Sequence, residues 1–229
     1  MSDPSLAVLA GLAAWATVAG VDLVSVPQGL LSRPVVVGAV AGWILGHPWA
    51  GLQVGVALEL YALDVMPVGA SRYPDYGAAT AGATVAAAGL EGPWAVGPAL
   101  ALALAVAWLG GLSLEYLRQA NARAVHRRAA ALATGEPRVV RSLQLRGLAR
   151  DVVRSAGLGV AAVAAGTVLA RLWPMAGWGS TAASALTIGL VGAGLSGAAS
   201  GAIRNAGRGL RLRWLGLGAA LGLLWAVFR

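Results

Sequence analysis

Four charged side chains stand close together in the stretch LELYALDVMPVGASRYPDYGAA, residues 58–79, of a chain that is otherwise strongly apolar. They are Glu59, Asp64, Arg72 and Asp75. Ionised carboxylates are strong hydrogen-bond acceptors, so two of them beside a water-filled cavity can hold the hydroxyl groups of a ligand. The same carboxylates would repel an anion. The chemistry that these residue types predict is therefore binding of a polar, uncharged molecule.

The amino-acid composition indicates the environment in which these charged residues lie. Of 229 residues, 58% are hydrophobic and 11% are charged, whereas soluble domains are roughly half apolar and about a quarter charged. The apolar segments reach helical length and lack the alternation of barrel strands. We therefore predict an all-α integral membrane protein, a polytopic helix bundle that forms a single domain over residues 1–229.

Glu59 lies near the middle of the apolar segment GLQVGVALELYAL, residues 51–63. A charge at membrane depth is costly and by default marks a substrate or ion pathway. The sequence therefore predicts a functional role for Glu59. The alternative is a buried structural carboxylate, either protonated or paired with Arg72 or Arg33.

Asp75 follows Pro74 in SRYPDYGAA, a small-residue loop that re-enters an apolar segment. Irregular backbone at membrane depth is tolerated only where protein buries it or where it lines a cavity. Asp75 is thus either a ligand-binding group or the N-cap of a helix predicted over 77–91. Asp64 and Arg72, which precede it, are candidates for an ion pair with each other.

The apolar segments are uneven in length. They are predicted at about 5–26, 34–46, 49–67, 77–91, 94–114, 155–173, 180–203 and 214–228, by hydropathy. Two of them, 34–46 and 77–91, are shorter than the roughly 20 residues that a bilayer crossing requires. Short pieces interrupted by Gly and Pro are typical of re-entrant or broken helices. We predict such helices in the first half, 1–114, followed by a second helical part at 155–229.

The stretch between these halves, 115–154, holds nine of the 17 arginines against three acidic residues. Because positively charged loops stay on the cytoplasmic side, we predict that 115–154 is a basic cytoplasmic loop. It lacks interleaved aromatics and a recognisable nucleic-acid fold, so a topology-setting or partner-docking surface is favoured over nucleic-acid binding. Binding of anionic lipid is a further alternative.

Other patterns in the chain predict packing rather than chemistry. GAGLSG, residues 192–197, satisfies G-x-G-x-x-G but lacks the preceding strand that a dinucleotide site needs. Glycines four residues apart, as at Gly38/Gly42/Gly46, Gly51/Gly55, Gly197/Gly201 and Gly218/Gly222, predict close helix contacts. His47 is predicted as a turn residue and His126 as part of a solvated face. We predict no metal site, no cofactor and no catalytic residue.

Several short runs of the first half nevertheless resemble one known family in order and spacing. They are GVD at 20–22, RPVVVGAVAGWILG at 33–46, GLQVGVALELYAL at 51–63, VGA at 68–70 and PDYGAA at 74–79. Together they resemble the membrane component IIC of the mannose/fructose/sorbose family of the bacterial phosphotransferase system, abbreviated PTS. The resemblance is most specific over 33–79.

The resemblance implies a sugar-translocating subunit of the bacterial inner membrane rather than an enzyme. Such a subunit pairs with a second membrane component, IID, and forms an oligomer in the lipid bilayer. It brings a hexose-like sugar across the membrane while the cytoplasmic components IIA and IIB supply phosphate, the phosphoryl-carrying histidine being on IIB. The IIC chain itself carries no phosphoryl group.

Residue roles also follow from the resemblance. Glu59 of the LE element and Asp75 of the PD element are implied as substrate-binding residues, with Asp22 of the GVD run as a third. Arg33, of the RP element, is implied to have a gating or structural role. Asp64 and Arg72 are assigned to that second class as well.

Two departures from the family pattern leave other functions open. The chain has LGHP where many relatives have LGD, and DVMPVGAS where they often read GWMNIGAA. A non-transporting membrane partner or sensor derived from the IIC fold is the main alternative. An intramembrane enzyme that uses Glu59 and Asp75 as acid and base would need both carboxyls within roughly 10 Å of a common substrate bond.

Overall fold

The computed structural model of the chain describes residues 4–65, 72–90, 92, 94–177, 179–205, 213 and 217. Across these ranges the long elements are α-helices and no strand is present, which confirms the predicted all-α fold. The helices are α1 (Leu6–Val24), α2 (Pro34–Leu45), α3 (Pro48–Asp64), α4 (Tyr76–Gly89), α5 (Val96–His126), α6 (Ala129–Ala133), α7 (Pro137–Met175) and α8 (Ser180–Asn205). The segment predicted at 214–228 lies outside the described residues, apart from position 217.

Proline and glycine set the ends of several helices. Pro34, Pro48 and Pro137 occupy the start of α2, α3 and α7, where the missing N–H has no intrahelical partner to lose. Gly46 ends α2 with φ +73°, a left-handed conformation that glycine adopts without strain. His47 follows it in the turn before α3, as predicted.

Three consecutive helices are too short to cross a bilayer. Helices α2, α3 and α4 contain 12, 17 and 14 residues, or about 18, 26 and 21 Å, against about 30 Å for the hydrocarbon core. Helices α2 and α3 form an antiparallel hairpin, and a methyl group added at Gly42 would lie 3.0 Å from Cα of Gly51. The short helices predicted at 34–46 and 77–91 and the close contacts predicted for the glycines at 38, 42, 51 and 55 are therefore confirmed. The contact predicted for Gly46 was wrong, because Gly46 is the C-cap of α2 and a β-carbon there would meet no heavy atom within 4 Å.

Helix α4 is the centre of the bundle. Its residues from Gly77 to Ala88 are all buried, and it packs against α7, α5, α1 and the α2–α3 hairpin. The sequence YGAATAGATVAAAG contains no side chain larger than valine after its first residue, so neighbouring backbones come close to it. Within the described residues, four helices of the bundle, α1, α5, α7 and α8, are long and apolar enough to span a membrane, which makes this a multi-pass membrane protein.

The prediction of a loop at 115–154 was wrong, because most of this stretch is helical. Helix α5 continues to His126, the short helix Ala129–Ala133 follows, and α7 begins at Pro137. Arginine, alanine, leucine and glutamine are all good helix formers, so a polar stretch built from them need not leave the helix. The break comes at Gly135, which has φ +71°. The basic stretch therefore extends two long helices beyond the apolar part of the bundle.

The contact between α4 and α7 yields a testable prediction. A β-carbon at Gly82 would lie against the carbonyl group of Ala162, 3.0 Å from its Cβ, whereas one at Gly11 of α1 would meet no heavy atom within 4 Å. We expect Gly82→Val to destabilise the fold by about 1–3 kcal/mol, because overpacking forces the helices apart. Thermal unfolding in detergent would measure this. Gly11→Val is the matched control, expected within about 0.5 kcal/mol of wild type; equal effects of the two variants would contradict the prediction.

Candidate functional site

A small cavity of about 220 Å³ lies where several helices of the first half begin or end. It is lined by Leu23, Ser32, Arg33, Pro34, Ala62, Val65, Tyr73, Pro74 and Tyr76. The lining comes from α1, from the start of α2, from the end of α3 and from the segment that leads into α4. Its volume is below the roughly 300–1,000 Å³ typical of pockets for drug-sized ligands, so it suits a small molecule.

An ion pair between Arg33 and Glu59 stands at this cavity. Arg33 immediately precedes α2 and lines the cavity, and its Nη2 donates to Oε1 of Glu59 on α3. The other carboxylate oxygen of Glu59 accepts from the backbone N–H of Val35 at 3.3 Å. The side chain of Glu59 is 18% exposed and that of Arg33 is 39% exposed. In the structure, Glu59 is therefore paired with Arg33 rather than with Arg72, the other partner considered.

Asp22 shapes the loop that carries Arg33. It is buried near the end of α1, and its two oxygens accept from the backbone N–H groups of Gly29 at 2.7 Å and Ser32 at 2.8 Å. A carboxylate is a good partner for two N–H groups, so Asp22 holds the segment between α1 and α2 in one conformation. Ser32 and Arg33 face the cavity as a result.

Asp75 lies just behind the cavity wall formed by Pro74 and Tyr76. Its backbone N–H donates to the carbonyl of Ala107 on α5 at 3.0 Å. Gly110 permits this approach, since a β-carbon there would lie only 2.5 Å from Cβ of Asp75. Although Asp75 occupies the N-cap position of α4, its side chain makes no capping hydrogen bond. Asp75 is therefore the N-cap of α4 by position, as one of the two alternatives predicted, but its side chain does not act as a cap.

The side chain of Asp75 instead belongs to a buried charge cluster centred on Arg154. Nη1 of Arg154 lies 2.9 Å from Oδ2 of Asp75, and Nε lies 3.1 Å from Oδ1 of Asp151. The side chain of Asp75 is 0% exposed, that of Arg154 is 8% exposed and that of Asp151 is 1% exposed. Two acidic groups and one arginine therefore share a site that solvent hardly reaches. Oδ1 of Asp75 has no hydrogen-bond partner among the described residues.

Neutral polar groups complete this cluster. Arg154 also donates to Oγ of Ser155 at 3.0 Å and to the carbonyl oxygen of Gly20 on α1 at 3.3 Å. Oγ of Ser113 on α5 lies 3.3 Å from Nη1 of Arg154, and Ser25 Oγ donates to Asp151 at 2.5 Å. The cluster therefore ties α1, α5 and α7 to the start of α4.

Sequence reasoning missed Arg154 and Asp151 as part of the site. Both belong to the basic stretch 115–154, which the sequence predicts as a cytoplasmic loop. One signal was present: Arg154 is the last charged residue before the uncharged run SAGLGVAAVAAGTVLA, at 155–170. An arginine that opens an apolar helical run needs a buried partner or access to water.

Asp64 and Arg72 lie on either side of residues 66–71, which are outside the described part of the chain. Nε of Arg72 donates to Glu115 of α5 at 2.8 Å, so Arg72 is tied to α5. Asp64 lies against α8, with its Oδ1 3.2 Å from the place of a β-carbon at Gly201. The close contact predicted for Gly201 is thus with the end of α3. Across the described ranges, no three His, Asp or Glu side chains are grouped as metal ligands would be.

One known protein family matches most of the chain. The model of a family described as "PTS system sorbose-specific iic component" matches residues 6–194. No curated protein matches the chain.

Two solved structures share the fold. One, described as "Structure of membrane protein", has a TM-score of 0.70 and 21% identity. The alignment with it covers 98% of this chain and 94% of the chain in that structure. The other is the cryo-EM structure of the mannose transporter ManYZ in complex with microcin E492, with a TM-score of 0.62, 22% identity, and coverage of 99% of this chain and 94% of its own. Because the family match extends over most of the residues, from α1 into α8, the chain belongs to the sorbose-specific IIC family of the phosphotransferase system.

Proposed function

We propose that the chain is the sugar-translocating IIC subunit of a phosphoenolpyruvate-dependent phosphotransferase system in a bacterial inner membrane. The observation that carries the proposal is the cavity beside the Arg33–Glu59 pair, in a member of this family. The similarity in fold to a mannose transporter supports a hexose-like substrate.

The chemistry of the cavity suits a neutral sugar. Arg33 supplies N–H donors at the wall, Glu59 supplies an ionised acceptor next to it, and Tyr73 and Tyr76 supply phenolic groups and ring surface. Hydrogen bonds to charged groups contribute about 1.5–3 kcal/mol, more than neutral ones. We assign Glu59 to direct contact with sugar hydroxyls and Arg33 to orienting Glu59.

Asp75 and Asp22 have different assignments within this proposal. Oδ1 of Asp75, which has no hydrogen-bond partner within the described part of the chain, is an acceptor that a sugar hydroxyl can satisfy once the segment from Tyr73 to Tyr76 moves. Both oxygens of Asp22 already accept backbone N–H groups, so we assign Asp22 to holding the loop rather than to touching the sugar. Arg72 and Asp64 flank the same region and are assigned to gating.

The partners in the proposal follow from the family. A IID subunit completes the membrane unit, the assembly is oligomeric, and a cytoplasmic IIB component loaded by IIA phosphorylates the sugar. The arginine-rich ends of α5 and α7 are placed in the cytoplasm, because positive charge is retained there. This end is then the face on which IIB would meet the transported sugar.

The test is phosphoenolpyruvate-dependent uptake of a panel of labelled hexoses into vesicles that contain this chain with its IID, IIB and IIA partners. We expect accumulation of one or a few sugars as phosphates, and no accumulation when IIB is omitted. Intact uptake in the absence of IIB and IID would argue against the proposal. Absence of any uptake from a complex that has assembled would favour a non-transporting partner built on the same fold.

A further inference from the structure

An apolar groove of about 540 Å³ runs between α5 and α7 at the basic end of the bundle. Its walls include Tyr116 and Leu117 of α5 and Val153 of α7. Tyr116 is 68% exposed and Val153 is 72% exposed, so the groove presents large apolar side chains at the surface. The groove is distinct from the cavity at Arg33, which lies among α1 to α4.

The groove lies at the boundary between the apolar and the charged parts of α5. A span of about 20 residues from the start of α5 ends near residue 115, and the charged residues Glu115, Arg118 and Arg123 follow. Tyr116 thus stands where tyrosine is commonly found, at the level of lipid headgroups. An acyl chain in the groove would place its headgroup next to the arginines.

One arginine lines this groove, and a second lies near the ring of Tyr116, which also lines it. Nη1 of Arg150, which lines the groove, donates to Oδ1 of Asn121 at 2.9 Å, so a neutral side chain holds it in place. The guanidinium of Arg123 lies 5.9 Å from the centroid of the Tyr116 ring. Neither contact neutralises the positive charge. By contrast, Arg154 is neutralised in its cluster with Asp75 and Asp151.

The surrounding charge is positive as well. Residues 115–154 contain nine arginines against three acidic residues, a net charge of +6. Two of the three acidic residues are already paired, Glu115 with Arg72 and Asp151 with Arg154. An apolar groove with uncompensated cations at one end is complementary to an amphiphile whose polar end is an anion.

We propose that this groove is a binding site for an anionic phospholipid. One acyl chain lies along Tyr116, Leu117 and Val153, and the phosphate of the headgroup is bound by Arg150 and Arg123. The lipid fills the space between α5 and α7 next to the Arg154 cluster. The site does not depend on the transport function and takes a ligand from the membrane rather than from the aqueous phase.

The test is thermal unfolding of the purified chain in nanodiscs of phosphatidylcholine with increasing mole fractions of phosphatidylglycerol, followed by intrinsic tryptophan fluorescence. We expect the melting temperature to rise and saturate. The half-saturating fraction should increase by on the order of five-fold in Arg150→Gln, the effect of one arginine at a lipid surface. Arg141→Gln removes the same charge at an exposed position of α7 outside the groove and should shift the midpoint little.

A second variant keeps the charges and fills the groove. Unlike Arg150→Gln, which should weaken binding, Val153→Trp should abolish the saturable effect of phosphatidylglycerol while preserving the helical content and a cooperative melt. Four outcomes would overturn the proposal: no effect of phosphatidylglycerol on wild type, equal losses in Arg150→Gln and Arg141→Gln, an unchanged response in Val153→Trp, or an equal stabilisation by inorganic phosphate alone. Loss of the effect whenever a IID partner is bound would assign the groove to protein instead.

Discussion

Replacement of Glu59 by glutamine is expected to reduce phosphoenolpyruvate-dependent sugar uptake to background while the chain still assembles in the membrane. Glutamine has nearly the same shape, and its side-chain oxygen can still accept from the N–H of Val35. It lacks the charge that pairs with Arg33 and accepts a sugar hydroxyl strongly. The loss of a charged hydrogen bond costs about 1.5–3 kcal/mol, or roughly 10- to 150-fold in affinity. Equilibrium binding of the transported sugar measures this directly.

Glu136→Gln is a suitable control for this experiment. It makes the same chemical change at an exposed residue that precedes α7. Uptake by Glu136→Gln should equal that of wild type, and both variants should copurify with their membrane partner. Unimpaired uptake by Glu59→Gln would remove Glu59 from the sugar site, and loss of assembly would show instead that the Arg33 pair maintains the fold.

Arg154→Gln is expected to cause the largest loss of stability of any single substitution in the buried cluster. The variant leaves Asp75 and Asp151 as two buried acidic groups without their cation. Removal of one partner from a buried ion pair typically costs 3–5 kcal/mol, about 6–20 °C in melting temperature for a chain of this size. Thermal unfolding in detergent gives the number, and Arg146→Gln, at an exposed position of the same helix, is the control.

A double variant separates charge from packing in this cluster. If uncompensated charge causes the loss, Asp75→Asn in the Arg154→Gln background should recover part of it, because one of the two buried acids is then neutral. Additive losses in the double variant would mean that the size and hydrogen bonds of Arg154, rather than its charge, hold the cluster. Stability of Arg154→Gln within about 0.5 kcal/mol of wild type would contradict the prediction.

The helices were predictable because hydropathy and breaker residues determine them locally. Pro34, Gly46 and Pro48 begin and end the hairpin helices within a residue of where the sequence placed them. The glycine spacing at 38/42 and 51/55 also predicted the close contact between α2 and α3, since four-residue spacing puts small residues on one helix face. Hydropathy did not predict the full length of α5 and α7. The polar stretch 115–154 was interpreted as the end of the helices, although its residue types favour helix.

The ion pairs of the site, Arg33–Glu59 and Arg154–Asp75, could not be predicted from the sequence alone. Glu59 had two nearby arginines as possible partners, Arg33 and Arg72, and no local pattern distinguishes them. The hairpin brings Arg33 to Glu59 across 26 positions, whereas Arg72 turns to Glu115 of α5. Asp75 and Arg154 are 79 positions apart, and their contact depends on how α4, α5 and α7 pack. Only the assembled bundle determines such pairs.

These long-range contacts join parts of the chain that are synthesised at different times. Asp75 emerges from the ribosome well before Arg154, and Ser25 precedes its partner Asp151 by 126 positions. Until α7 arrives, the nascent first half holds an acidic group at the entrance to its most buried helix without the cation that neutralises it. Helix α4 packs against α7, so its packing is complete only once α7 has been inserted, and a fragment that ends before Pro137 lacks the helix that covers this face of α4.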